Sequence, residues 1–202
     1  CTPELMTALG ELHRERPALL IQSHVSENTD EIAWVHDLHP DTEHYTGVYG
    51  KYGLLGPTTI LAHGVHLTDA ELRVFHKTQA AIAHCSSSNF QLMSGVCDVR
   101  RLLDAGVIVG LGTDVAGGPS PSMIDAMRNA MVCSRATLFA RRPAAYQPLN
   151  VDEVFALATE GGARALRRDD IGVLRIGARA DLIVLDAPSH LHLAYRPGVP
   201  LI

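Results

Sequence analysis

Aromatic side chains are scarce: one Trp, five Tyr and four Phe make up 5% of 202 residues. So few rings exclude a stacking platform for single-stranded nucleic acid. Positive charge is short as well. The 17 Lys and Arg face 22 Asp and Glu, a net charge of -5 with His neutral, which excludes the basic footprint of a nucleic-acid binder. No apolar run is long enough to cross a bilayer, and no secretory signal opens the chain. The four cysteines, Cys1, Cys85, Cys97 and Cys133, have no short paired spacing. That excludes a disulfide frame and a zinc ribbon, and fits reduced thiols in the cytoplasm. Internal repeats and low-complexity tracts are absent.

What the chain has is ordinary globular composition, 47% hydrophobic and 19% charged, with length for one core and a small appendage. It opens on "CTPELMTALGELHRE", a loop running into a helix, and closes on "RPGVPLI" as an apolar run begins. Both ends read as cut from something longer. Short apolar runs at residues 18–25, 58–65, 80–85 and 107–114 predict buried strands. Helical patterns lie between them. "TDEIAWVHDLH" places Ile32, Val35 and Leu38 on one face, with Thr29 as N-cap. Thr68 and Glu71 form a capping box that opens a helix through about Thr78. "DVRRLLDAG" is a helix stopped by Gly106, after a Ser/Asn-rich loop. A long helix is expected from Pro121 to Phe139, and another after Asn150 with Glu153 at the box position. Strand alternating with helix predicts an α/β fold with a parallel sheet, either half of a β/α barrel or a doubly wound sheet. "IGVLRIGARADLIVLDA" reads instead as a hairpin around Gly177, a small β module.

The unusual count is His, at 11. Each predicted strand ends on a chemically capable residue: His24, His63, His84 and Asp114. In a β/α barrel such ends surround one mouth, and His with Asp suits Zn²⁺ or Fe²⁺. Glu27, three residues past His24, is placed to shuttle protons beside a water held by such a metal. Each residue alone has a plainer reading: a satisfied core histidine, a helix N-terminal acid, a turn-capping Asp in "GLGTDVAGG". Their shared position at the strand ends favours the site.

Together "SHVSEN", "LAHGVHL", "IAHCSSSN" and "GLGTDVAGG" resemble the amidohydrolase superfamily in its mononuclear deaminase branch. The similarity covers nearly the whole chain, including "YTGVYGKYGLL" and "GVLRIGARADLIVLD". The resemblance implies the C-terminal part of a distorted (β/α)8 TIM barrel, about strands five to eight, over residues 1–168. Residues 169–202 are then part of a small β-sandwich. It implies that His24 and Asp114 bind one Zn²⁺ (or Fe²⁺) per subunit and that Asp114 accepts a proton from the attacking water. Glu27 and His63 are implied to act on the substrate, the first moving protons and the second orienting water or substrate. His84 and Asn89 stand behind them. The implied reaction turns guanine and water into xanthine and ammonia in purine catabolism. It belongs to a cytoplasmic homodimer that binds a purine base and neither nucleic acid nor membrane.

This chain departs from the family pattern in three places. The family's H-x-H metal motif lies on its first strand, whereas here the only H-x-H is His190–His192, in the tail and expected at the surface. The Arg-Phe pair with which the family grips the purine is not in the sequence. "AHCSSSN" replaces the usual "AHCPNSN", which removes a Pro and loosens the loop around Ser88 and Asn89. Two alternatives stay open: a deaminase or chlorohydrolase for another amino-heterocycle, and an inactive fragment or partner-binding half-barrel.

Overall fold

The computed structural model describes residues 1–141 and 145–184. Helix α1 (Pro3–Glu15) starts where Thr2 accepts a hydrogen bond from the Leu5 amide, with Pro3 in the first turn. Strand β1 (Ile21–Val25) leads to α2 (Thr29–Leu38) and α3 (Tyr45–Lys51). Strand β2 (Thr59–His63) is followed by α4 (Asp69–Thr78), and β3 (Ala81–His84) by α5 (Ser86–Gln91) and α6 (Val99–Asp104). Strand β4 (Ile108–Leu111) precedes α7 (Met123–Arg141) and α8 (Val151–Ala156). A π-helical turn (Leu157–Gly161) and α9 (Gly162–Ala165) complete the helical part.

The four strands lie in the order β1-β2-β3-β4, and every pair is parallel. Neighbours in sequence are neighbours in space, with no reversal of order. A complete doubly wound sheet would show that reversal, and the unbroken order of the described strands is consistent with an arc of an incomplete β/α barrel. Register pairs Val25 with His63 and His84 with Leu111, bringing the carboxyl ends of all four strands to one side. The core between sheet and helices is built from Leu61, Phe75, Ile82, Val99 and Leu102, all buried. The helical turn after α8 lies unusually close to β4. A Cβ on Gly161 would stand 2.4 Å from the Val109 carbonyl oxygen, so only glycine permits this approach.

The capping box of α4 forms as expected: Thr68 accepts from the Glu71 amide and the Glu71 carboxylate accepts from the Thr68 amide. The same device opens α8 through Asn150 and Glu153. Gly106 follows α6 with a φ of +74°, the left-handed stop read from the sequence. The strands are shorter than their apolar runs: residues 18–20 precede β1, and the runs of β2, β3 and β4 continue past the ladder into the loops that follow. Helix α2 is capped by Asn28 and not by Thr29, since the Asn28 carboxamide reaches the Glu31 amide at 2.8 Å. The Ser/Asn-rich loop is in fact α5, which packs against α7 with Ser86, Ser87, Ser88 and Asn89 buried.

Among residues 169–184 there is no strand, so the hairpin expected around Gly177 is not formed there. Gly177 does turn the chain, with a φ of +89°. Leu174, Ile176, Ile183 and Val184, however, are exposed and meet no second sheet, and an isolated hairpin is marginal in water. Asp186, His190 and His192 lie outside the described residues. Among the described residues no helix is long and apolar enough to cross a membrane.

Candidate active site

Left-handed backbone marks the loops after the strands. Ser26, His63 and Asp114 have φ values of +48°, +72° and +48°. Such conformations are costly for residues with a Cβ and gather where function fixes the chain. They turn the loops beyond β1, β2 and β4 so that side chains at the carboxyl ends face one another.

His24 sits one residue before the end of β1. Its Nδ1 lies 2.9 Å from Glu31 Oε1, while its side chain remains 56% exposed. Glu31 reaches it from the first turn of α2, also accepting from the Tyr45 hydroxyl at 2.9 Å and the Glu27 amide at 3.0 Å. The hydrogen bond that His24 donates to Glu31 raises the His24 pKa, with smaller contributions from the charges of Glu27 and Asp114. Asp114 is therefore within electrostatic reach of His24. Burial pushes the Glu31 carboxyl up, but its hydrogen bonds from His24, Tyr45 and the Glu27 amide outweigh this and leave it below the usual range.

His63 is buried between neighbours. Its Nδ1 meets Asn89 Oδ1 at 2.9 Å and its Nε2 stands 3.7 Å from Glu27 Oε2. The His24 and His63 rings are 6.3 Å apart, edge to face. Glu27 receives a hydrogen bond from the Ser94 hydroxyl at 2.8 Å on its other oxygen. Across the mouth, Ser88 donates to Asp114 Oδ2. The loop after Asp114 folds back tightly, with the Gly118 amide donating to the Asp114 carbonyl at 2.6 Å. The small residues there have a steric cause: a Cβ on Gly118 would come 2.1 Å from the Thr113 carbonyl oxygen.

His84 is placed differently. It is fully buried, and neither ring nitrogen has a hydrogen-bond partner among the described residues. Burial, and to a lesser degree the charge of His63, lowers its pKa to about 4. It stands near His63 without a bond to any group at the mouth. Asn89, expected behind the site, contacts His63 directly.

Sequence reasoning missed Glu31, Ser94 and the Tyr45–Tyr49 pair, whose rings stack at 5.9 Å behind His24. Glu31 was masked by its position, since an acid in a first helical turn needs no other explanation. Ser94 lies 67 residues from Glu27 in sequence, and no local pattern links them.

The arrangement offers part of a metal shell. Glu31 takes the Nδ1 side of His24 and leaves Nε2 without a partner among the described residues, the carboxylate–histidine pairing that prepares imidazole for a metal. Ser88 takes one Asp114 oxygen and leaves the other. These two donors fit a divalent ion chemically, but among the described residues no group of three or more His, Cys, Asp or Glu could hold one. A deep apolar groove lies to one side of these residues. It has a volume of about 540 Å³ and runs along the free edge of β1 between α1 and α2, lined by Leu9, Leu12, Leu20, Trp34 and Leu38. It touches His24 and Glu31, but Glu27, His63 and Asp114 do not line it.

Comparison with known proteins gives a consistent answer. The amidohydrolase family model matches residues 1–198. A guanine deaminase of Dictyostelium discoideum is 45% identical over 187 residues, 92% of this chain and 41% of its own length. A guanine deaminase from C. acetobutylicum, solved with guanine in its active site, superposes with a TM-score of 0.79 at 36% identity, over 85% of this chain and 40% of its own. An adenosine deaminase from Xanthomonas campestris with bound zinc gives 0.77 at 26% identity, over 87% of this chain and 39% of its own. The chain thus spans about two fifths of the length of the relatives it matches.

Proposed function

The chain belongs to the amidohydrolase family, and on that premise we propose that it supplies the proton-handling half of a guanine deaminase site. The observation that carries the reading is the meeting of His24, His63, Glu27 and Asp114 at the carboxyl ends of parallel strands. Identity to the guanine deaminases exceeds that to the adenosine deaminase, which favours guanine over another amino-heterocycle.

His24 through Nε2 and Asp114 through its free oxygen would hold a zinc ion, the remaining ligands coming from residues outside this sequence. Such an ion supplies Lewis-acid chemistry, drawing the pKa of water toward neutrality. Asp114 accepts a proton from the water that attacks C2 of guanine, the carbon bearing the exocyclic amine. Glu27 delivers a proton to N3 and recovers one from the new C2 hydroxyl as the C2–N bond breaks. Asp114 returns its proton to the departing amine. The balance is guanine plus water to xanthine plus ammonia. His63, fixed by Asn89 on one side, hydrogen-bonds the developing oxyanion on the other. Residues 169–202 are assigned to a small second domain. The buried thiols Cys85, Cys97 and Cys133 suit a reducing cytoplasm.

The test is turnover by the full-length, zinc-loaded protein, followed as loss of guanine absorbance with xanthine identified as product. Turnover of adenine or cytosine without guanine overturns the substrate. No turnover of any amino-heterocycle favours the non-enzymatic alternative.

A further inference from the structure

Three of the four polar groups at the mouth are held from one short stretch of chain. Ser88 donates to Asp114, Asn89 meets His63, and Ser94 donates to Glu27. Ser88 and Asn89 lie on α5, and Ser94 lies in the loop that follows it. The stretch is itself fixed. Ser88 and Asn89 are wholly buried and Ser94 is 6% exposed. The Ser94 amide donates to the Asn89 carbonyl at 2.8 Å, and its carbonyl stands 2.7 Å from His66 Nε2. Both backbone groups of Ser94 are therefore spoken for, and its hydroxyl is aimed at Glu27.

Glu27 depends on that hydroxyl. Its amide is used by Glu31. Among the described residues its carboxylate meets only Ser94 on Oε1 and His63 near Oε2. A Glu side chain has three rotatable bonds, so a carboxylate without the Ser94 bond samples several orientations and points Oε2 at its target only part of the time. A charge-assisted O–H donor on one oxygen selects a single orientation.

Resting on the deaminase reading, we propose that Ser94 is a positioning residue: by occupying Oε1 of Glu27 it aims Oε2 at the substrate side of His63, where the proton is passed. Ser94 touches no reacting atom, and its effect is exerted wholly through Glu27.

A double-mutant cycle in the full-length protein tests this. Ser94→Ala lowers kcat on guanine about 10- to 100-fold, the worth of a hydrogen bond to a charged group. KM stays within about twofold, since ground-state binding is untouched, and bound metal is unchanged. Ser94→Thr, which keeps the hydroxyl, recovers most of the rate. In a Glu27→Gln background, adding Ser94→Ala costs less than about twofold, because the group it positions is already disabled. Losses that multiply, a loss carried by KM, a full rate in Ser94→Ala, or a well-folded Ser94→Thr that stays slow each overturn the assignment. No guanine turnover by the unaltered protein overturns the functional reading instead.

Discussion

Glu27 Oε2 stands 3.7 Å from His63 Nε2, while the opposite nitrogen of the same ring is held by Asn89 at 2.9 Å. The ring thus lies between an amide and a carboxylate, and the carboxylate is in turn held on its other oxygen by the Ser94 hydroxyl at 2.8 Å.

Replacing that carboxylate isolates its role. Glu27→Gln in the full-length protein is expected to keep its metal and fold and to lose about 10²- to 10⁴-fold in kcat, the usual worth of a positioned acid–base group. Guanine absorbance and metal analysis of the same samples check it. Full activity would remove Glu27 from the mechanism.

Asp114→Asn is expected to abolish turnover while leaving the far-UV spectrum unchanged. The amide is a poor base and a weaker ligand, yet it can still accept from Ser88. Metal content should fall as well, which separates this variant from Glu27→Gln. An Asn variant with near-normal kcat contradicts the assignment.

His84 predicts a pH dependence of stability. Its folded pKa is about 4 against an ordinary 6.5. Between those values the unfolded chain takes up a proton that the folded chain refuses. Stability is therefore full above about 6.5, falls as pH drops toward 4, and changes no further from this cause below that, a loss of about 3 kcal/mol at most. His84→Leu removes the titration, so its unfolding free energy should fall less steeply than wild type between pH 7 and pH 4.5. Parallel slopes would show that burial of this ring is not what the acid limb reports.

Gly161→Ala should be far more damaging than its size suggests. The added carbon would meet the Val109 carbonyl at 2.4 Å, and backbone on both sides leaves little room to yield. A loss of about 1–3 kcal/mol is expected, as for overpacking generally, read by denaturant unfolding. Gly50→Ala, where an added carbon meets nothing within 4 Å, is the control.

The 202-residue chain expressed alone is expected to be poorly soluble or only partly folded. Leu9, Leu12, Leu20, Trp34 and Leu38 form an exposed apolar groove beside β1. The outer edge of that strand pairs with nothing among the described residues, and open edges with apolar flanks associate. Size-exclusion chromatography and a thermal scan decide it. A monomeric, cooperative transition counts against the expectation.

The alternation of apolar runs with capped helices was enough to read four parallel strands, because β2, β3 and β4 are largely buried and α4, α6 and α8 carry local caps; β1 was read from the same kind of run, although Gln22 and His24 are exposed. The strand-end residues were legible for the same reason: polar atoms at the end of an apolar run stand out. Two things were not legible. The buried serines of α5 look like loop composition, since their burial comes from packing against α7 and not from any pattern of their own. The pairing of Ser94 with Glu27 depends on how two loops meet after the sheet has formed. The hairpin read from two short apolar runs around Gly177 is not formed among residues 169–184: apolar runs supply a face, but a strand needs something to cover it.

Because all four strands run the same way, the sheet has two ends with different duties. Substitution at Thr59, Ala81 or Ile108, where the strands begin, is paid in melting temperature. On the proposed deaminase reading, substitution in the segments that follow them, from Ser26 to Glu31, Ser86 to Ser94 and Gly112 to Gly118, is expected to be read in turnover. A deep mutational scan scored separately for abundance and for activity would therefore split along the strand axis. Divergence in chemistry could proceed at one end while the other keeps the molecule folded.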